Sequence, residues 1–143
     1  MKLVVQRVAR AAVSVDGQEI ARIDGGLLVL LGVEAGDADD DADRLAAKVA
    51  KLRIFPDAKK PMNSSVRDVG GAVLVVSQFT LAADLSRGNR PSFVRAAAPA
   101  EAERLYLRFA TVLAAQGVPV ATGRFGAMMD VELVNAGPAT FVL

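Results

Sequence analysis

The chain contains no cysteine and no histidine. The first absence excludes disulfides, thiolate nucleophiles and cysteine-based zinc sites. The second removes the commonest general base and the commonest metal ligand, so neither a Ser-His-Asp nor a Cys-His arrangement is possible. Long apolar runs are missing too, and no stretch approaches the roughly 20 uninterrupted apolar residues that a membrane helix needs. The opening MKLVVQRVARAAVSVDG is broken by Gln6, Arg7 and Arg10, unlike the continuous apolar segment of a secretory signal. A soluble, cytoplasmic protein with no membrane association is expected. Charge of one sign is also not in excess. With 17 basic against 16 acidic residues the net charge is +1, so any RNA contact must be local.

What is present suits one compact domain over residues 1–143, a length that buries a core without disulfides or a metal. Apolar residues make up 52% of the chain before its 12 glycines are counted, which favours some extra burial such as a subunit interface.

Residues 2–9 and 11–16 alternate apolar with polar, and Asp16-Gly17 followed by Glu19–Ile23 predicts a hairpin. LLVLLGV at 27–33 is a continuous apolar run of strand length, as expected of a strand covered on both faces. The period then changes. Ala42, Leu45, Ala46, Val49 and Leu52 recur at helical spacing, and the acidic run from Asp37 to Asp43 reads as the start of that helix rather than as a metal site. No calcium-loop pattern of glycine and glutamate follows it. Residues 56–71 read as a loop, AVLVVSQFTLAA at 72–83 as a long central strand, and 84–98 as an irregular stretch carrying Arg87, Arg90 and Arg95. Pro99 opens a second helix that Gly117 and Pro119 stop, and 118–143 is β again. Grouped strands and two helices predict an α+β or mixed, β-rich α/β fold with a largely antiparallel, barrel-like sheet rather than a repeated βαβ fold.

Ser77-Gln78-Phe79-Thr80 places polar groups at the end of a strongly apolar strand. Alternation along that strand sets Ser77, Phe79 and Leu81 opposite to Gln78 and Thr80. Such groups either line a cleft or satisfy the backbone where the strand enters a loop. Of the 17 basic residues 12 are arginine, whose planar fork suits phosphate, although a solvated charged loop is the commoner explanation. The glycines at 70–71 and in TGRFG at 122–126 match no phosphate-binding fingerprint. Gly137-Pro138 interrupts the closing LVNAGPATFVL with the two residues least suited to a strand. It reads equally as an edge bulge or as a backbone-lined wall that presses on a ligand.

SQFTL at 77–81 together with NAGPATF at 135–141 resembles the two signature motifs of the D-aminoacyl-tRNA deacylases, also called D-tyrosyl-tRNA deacylases. QRV at 6–8, GLLVLLGV at 26–33, LRIF at 52–55, MN at 62–63, RPSF at 90–93 and TGRF at 122–125 follow the same family in order. One departure is Ala139, where the family usually has valine, two methyl groups larger. The resemblance implies a cofactor-free proofreading hydrolase of the ester joining a D-amino acid, or glycine on tRNA-Ala, to the tRNA 3′ end. It implies a homodimer in which Gly137-Pro138, in cis, enters the partner's active site beside Ser77, Gln78, Phe79 and Thr80. It further assigns Arg7 to anchoring the partner's Gly-Pro loop, Phe125 and Met129 to the adenosine pocket, and Arg87 and Arg90 to tRNA phosphates. Backbone N–H groups around Phe79 and Thr80 would then hold the carbonyl oxygen, with help from the tRNA 2′-hydroxyl. Thr80 as nucleophile ranks second, because the chain has no histidine to act as its base. Two other readings stand beside the enzyme: a non-catalytic RNA-end-binding dimer and a purely structural β-rich dimer.

Overall fold

The computed structural model describes residues 1–143. Strand β1 (Lys2–Val15) runs into β2 (Gln18–Ile23) through Asp16 and Gly17, both at positive φ (51° and 74°), as a tight hairpin turn requires. Strand β3 (Gly26–Gly32) continues antiparallel to β1 beyond β2, with Ala11 opposite Ile23 and Val8 opposite Gly26. Then come helix α1 (Asp39–Lys51), β4 (Ala72–Ser77), a 3-10 turn at Phe79–Ala82, α2 (Pro99–Ala115), β5 (Val120–Thr122) and β6 (Asp130–Val142). The six strands form one mixed sheet in the order β2-β1-β3-β4-β5, with β6 on β1. Pairs with β1 are antiparallel, whereas β3-β4 and β4-β5 are parallel. β2 also lies against β4 and β5, which nearly closes the sheet into a barrel.

The central strands are buried on both faces, which is why they read as unbroken apolar runs. Leu27, Val29, Leu31, Val73 and Val75 pack with the helices in a cluster of 22 buried residues, while Leu28, Leu74 and Val76 face a second cluster of 7. Along β1, Leu3 and Val5 join the first cluster and Ala11 and Val13 the second. A register shift between Val8 and Arg10 moves odd-numbered residues from one face to the other.

The acidic run begins α1, with Asp39, Asp40 and Asp41 in its first turn. It also ties the two helices together. Arg108 grips Asp43 through two contacts of 2.7 Å, and Arg104 reaches Asp39 at 2.6 Å. The Arg108 hydrogen bond holds the Asp43 carboxyl below the usual range. Pro99 is the first residue of α2, and Gly117, at φ 82°, follows its end.

One expectation needs correction. The strand expected over 72–83 ends at Ser77, so alternation does not govern Phe79, Thr80 or Leu81. The cause is loss of partners: β3 ends at Gly32 and β5 at Thr122, so no ladder remains beyond Ser77. At Gly137-Pro138 the sheet pairing is interrupted but does not end. Val8 pairs with Asn135 and Gln6 with Thr140, so Ala136–Ala139 loop out opposite Arg7 alone, and the Gly137-Pro138 bond within that loop is cis.

Glycine is required where β3 and β4 begin. A Cβ on Gly26 would lie 1.9 Å from the Ala72 carbonyl oxygen, whereas one on Gly25 meets nothing within 4 Å. Gly26→Ala should therefore cost at least about 3 kcal/mol in denaturant unfolding, and Gly25→Ala less than about 0.5 kcal/mol.

Candidate active site

The last rung of the β3-β4 ladder is the Gln78 N–H donating to the Leu31 carbonyl at 2.8 Å. The chain then turns sharply, and the Leu81 N–H donates back to the Gln78 carbonyl at 3.2 Å. That bond encloses Phe79 and Thr80, whose N–H groups have no acceptor within the turn. Gly32 makes the turn possible. A side chain there would place Cβ 2.8 Å from the Gln78 oxygen and 2.9 Å from the Leu81 Cβ.

A pocket of about 530 Å³ opens at this point. Val76, Ser77, Gln78 and Phe79 form one wall. Ala96, Ala97, Pro99 and Ala102, from the approach to α2 and its first turn, form another. Phe125 through Met129 and Val131 close it. Phe125 is backed by Tyr106, with ring centroids 6.0 Å apart. The Tyr106 hydroxyl donates to the Val75 carbonyl at 2.9 Å, and burial pushes its pKa up to about 12. Tyr106 is thus a fixed prop rather than a proton carrier near neutral pH.

No ionisable side chain lines this pocket, whose only polar side chains are those of Ser77 and Gln78. Chemistry that needs a side-chain base has no candidate there. Chemistry that needs N–H donors beside an apolar wall does. Thr80 stands next to the pocket rather than in its wall, exposed, with its hydroxyl accepting from Gln78 Nε2 at 2.5 Å.

The pocket therefore unites Ser77, Gln78, Phe79, Phe125 and Met129. Arg87 and Arg90 lie outside it on an exposed loop, and Gly137 and Pro138 are exposed elsewhere. Arg7 holds the Gly-Pro loop of its own chain. Its guanidinium donates to the carbonyls of Ile54 at 2.6 Å, Ala136 at 3.0 Å and Gly137 at 3.5 Å. Asn135, which sequence reasoning did not single out, closes the neck of the loop. Its Nδ2 donates to the Arg7 carbonyl at 3.0 Å and the Ala139 carbonyl at 3.4 Å. Ala139, the last residue of the loop, is fully buried. Ala96, Ala97 and Ala127 were missed as well, since small apolar wall residues carry no chemical signal.

The D-Tyr-tRNA(Tyr) deacylase family model matches residues 4–143. A D-aminoacyl-tRNA deacylase of Ruegeria pomeroyi is 61% identical over 140 residues, covering 98% of this chain and 97% of that one. The one of Deinococcus radiodurans is 57% identical over 143 residues, covering 100% and 99%. Among solved structures, one titled c-Myc DNA Unwinding Element Binding Protein superposes with a TM-score of 0.92 at 38% identity, covering 100% of this chain and 97% of that one. A probable eukaryotic D-amino acid tRNA deacylase gives a TM-score of 0.82 at 18% identity, covering 99% and 97%, a likeness of fold.

Proposed function

The chain belongs to the D-aminoacyl-tRNA deacylase family and is an ester hydrolase of that kind, and from this premise we propose how its site works. The substrate is a D-aminoacyl-tRNA. The observation that carries the reading is the pocket without ionisable groups at the end of β4, where the 3-10 turn leaves two N–H donors free beside Phe125 and Met129. An aminoacyl ester is already activated, so a strong base is unnecessary. The Phe79 and Thr80 N–H groups stabilise the oxygen on which charge develops, the dominant contribution open to such a site. The terminal 2′-hydroxyl of the tRNA assists the attacking water, and Phe125 and Met129 flank the terminal adenosine. Arg87 and Arg90 meet tRNA phosphates.

Chiral selection falls to the Gly137 and Pro138 carbonyls of a second subunit. The two esters carry identical groups, so apolar contacts discriminate poorly and a fixed obstacle is needed where the L side chain would lie. Two features support an intersubunit arrangement. The loop is absent from its own chain's pocket wall, and β6 pairs only with β1, leaving its other edge free to meet another copy. Arg7 and Asn135 keep the loop in shape. Glycyl esters present no side chain to the obstacle and are hydrolysed too.

Incubating the protein with D- and L-tyrosyl-tRNA and following ester loss tests the reading. Selective loss of the D-ester is expected, whereas binding without loss would favour a non-catalytic nucleic-acid binder. Thr80→Ala should lower the rate less than about tenfold, against roughly a thousandfold for a lost nucleophile. A Cβ at Gly137 meets only Asn135 Oδ1, at 3.4 Å, so the chain itself accommodates a side chain there. Gly137→Val should keep the unfolding transition and abolish deacylation, and normal D-ester turnover by that variant would remove the loop from the mechanism.

A further inference from the structure

Aromatic residues make up only 5% of the chain, yet two phenylalanines stand together in water at the mouth of the pocket. Phe79 is 56% exposed and Phe93 is 40% exposed, with ring centroids 5.0 Å apart and planes at 55°. Phe79 lines the pocket and Phe93 stands outside it, so the pair continues the binding surface beyond the site described above. The backbone holds Phe93 in place. Asp84 and Ser92 exchange N–H to carbonyl bonds of 2.8 and 3.1 Å, closing a loop whose far side carries Arg87, Gly88 (φ 67°) and Arg90. Neither arginine joins an ion pair. The loop's one carboxylate, Asp84, accepts from the Ser86 N–H at 2.9 Å and leaves both arginines uncompensated.

Exposed rings beside unpaired arginines form the surface on which single-stranded nucleic acid binds, with bases stacking on aromatic faces and guanidinium groups meeting phosphates. We propose that the Phe79–Phe93 pair is a stacking subsite for an unpaired nucleobase next to the terminal adenosine of the tRNA, with Arg87 and Arg90 on the adjoining phosphates. This rests on the functional reading above and extends it from the reacting nucleotide to its neighbour. A protein partner is the less favoured occupant, because the two unpaired cations on the adjoining loop suit a phosphate backbone. A second copy of this chain brings the same uncompensated arginines.

The test compares hydrolysis of D-tyrosyl-tRNA with that of the D-tyrosyl ester of adenosine alone, for the unaltered protein, Phe93→Leu and Phe93→Tyr. Phe93→Leu keeps apolar bulk but loses the aromatic face. It should lower kcat/KM on the tRNA ester about five- to a hundredfold while leaving the adenosine ester within about twofold. Phe93→Tyr should retain both activities. Equal loss on the two esters would make Phe93 a prop for the pocket and overturn the subsite, as would no loss on the tRNA ester. A lower assembly mass in solution for Phe93→Leu would assign the pair to contact between copies and overturn it equally. Hydrolysis of neither ester by the unaltered protein would defeat the functional reading and the subsite with it.

Discussion

The hydrogen bond from the Gln78 N–H to the Leu31 carbonyl is the point on which the site depends. It is the last rung of a parallel ladder whose strands are buried on both faces, and its position follows from that burial. Leu27 to Leu31 and Val73 to Val76 are held in register by side chains packed above and below, so a slip by one residue would exchange the two clusters. With the register fixed, β4 runs out of partners at Ser77, and the backbone must satisfy itself by turning. The tight turn frees the Phe79 and Thr80 N–H groups, and Gly32 leaves it room to settle against the end of β3.

Charge is placed away from this point. The arginines of α2 are committed to Asp39 and Asp43, where they join the helices, and Arg7 is committed to three carbonyls around the Gly-Pro loop. What lines the pocket is backbone, two neutral polar side chains and apolar wall. The mechanism proposed for it uses fixed dipoles, which need no reorganisation as charge develops. It depends on rigidity, and the props are identifiable in Tyr106 behind Phe125 and in Asn135 across the neck of the loop.

Much of the fold was legible in the sequence because it is written in periodicity. The unbroken run at 27–33, the helical spacing from Ala42 to Val49, the Asp16-Gly17 turn and Pro99 at the start of α2 each have a local physical cause, and each lies where expected. The strand expected over 72–83 overran because Phe79, Thr80 and Leu81 suit a strand locally, and only the absence of a neighbouring ladder stops them. Ser77, Gln78, Phe79, Phe125 and Met129 were named from the family resemblance and meet in one pocket. Its remaining wall was not legible, since alanines at 96, 97 and 127 become a surface only when the chain returns from distant positions. The Arg7 contacts within its own chain were not legible for a similar reason. That the guanidinium lies over its own loop follows from pairing of β1 with β6, residues more than a hundred positions apart.

The central claim is that backbone donors, with no titrating side chain, carry the chemistry. The pH dependence of kcat/KM for D-tyrosyl-tRNA, followed from about pH 5 to about pH 9 beside uncatalysed hydrolysis of the same ester, tests it most directly. The account predicts that the catalysed profile bends only where the substrate's own profile bends. A bell-shaped profile with a second apparent pKa, absent from the uncatalysed reaction, would show an acid or base of the protein at work and contradict it.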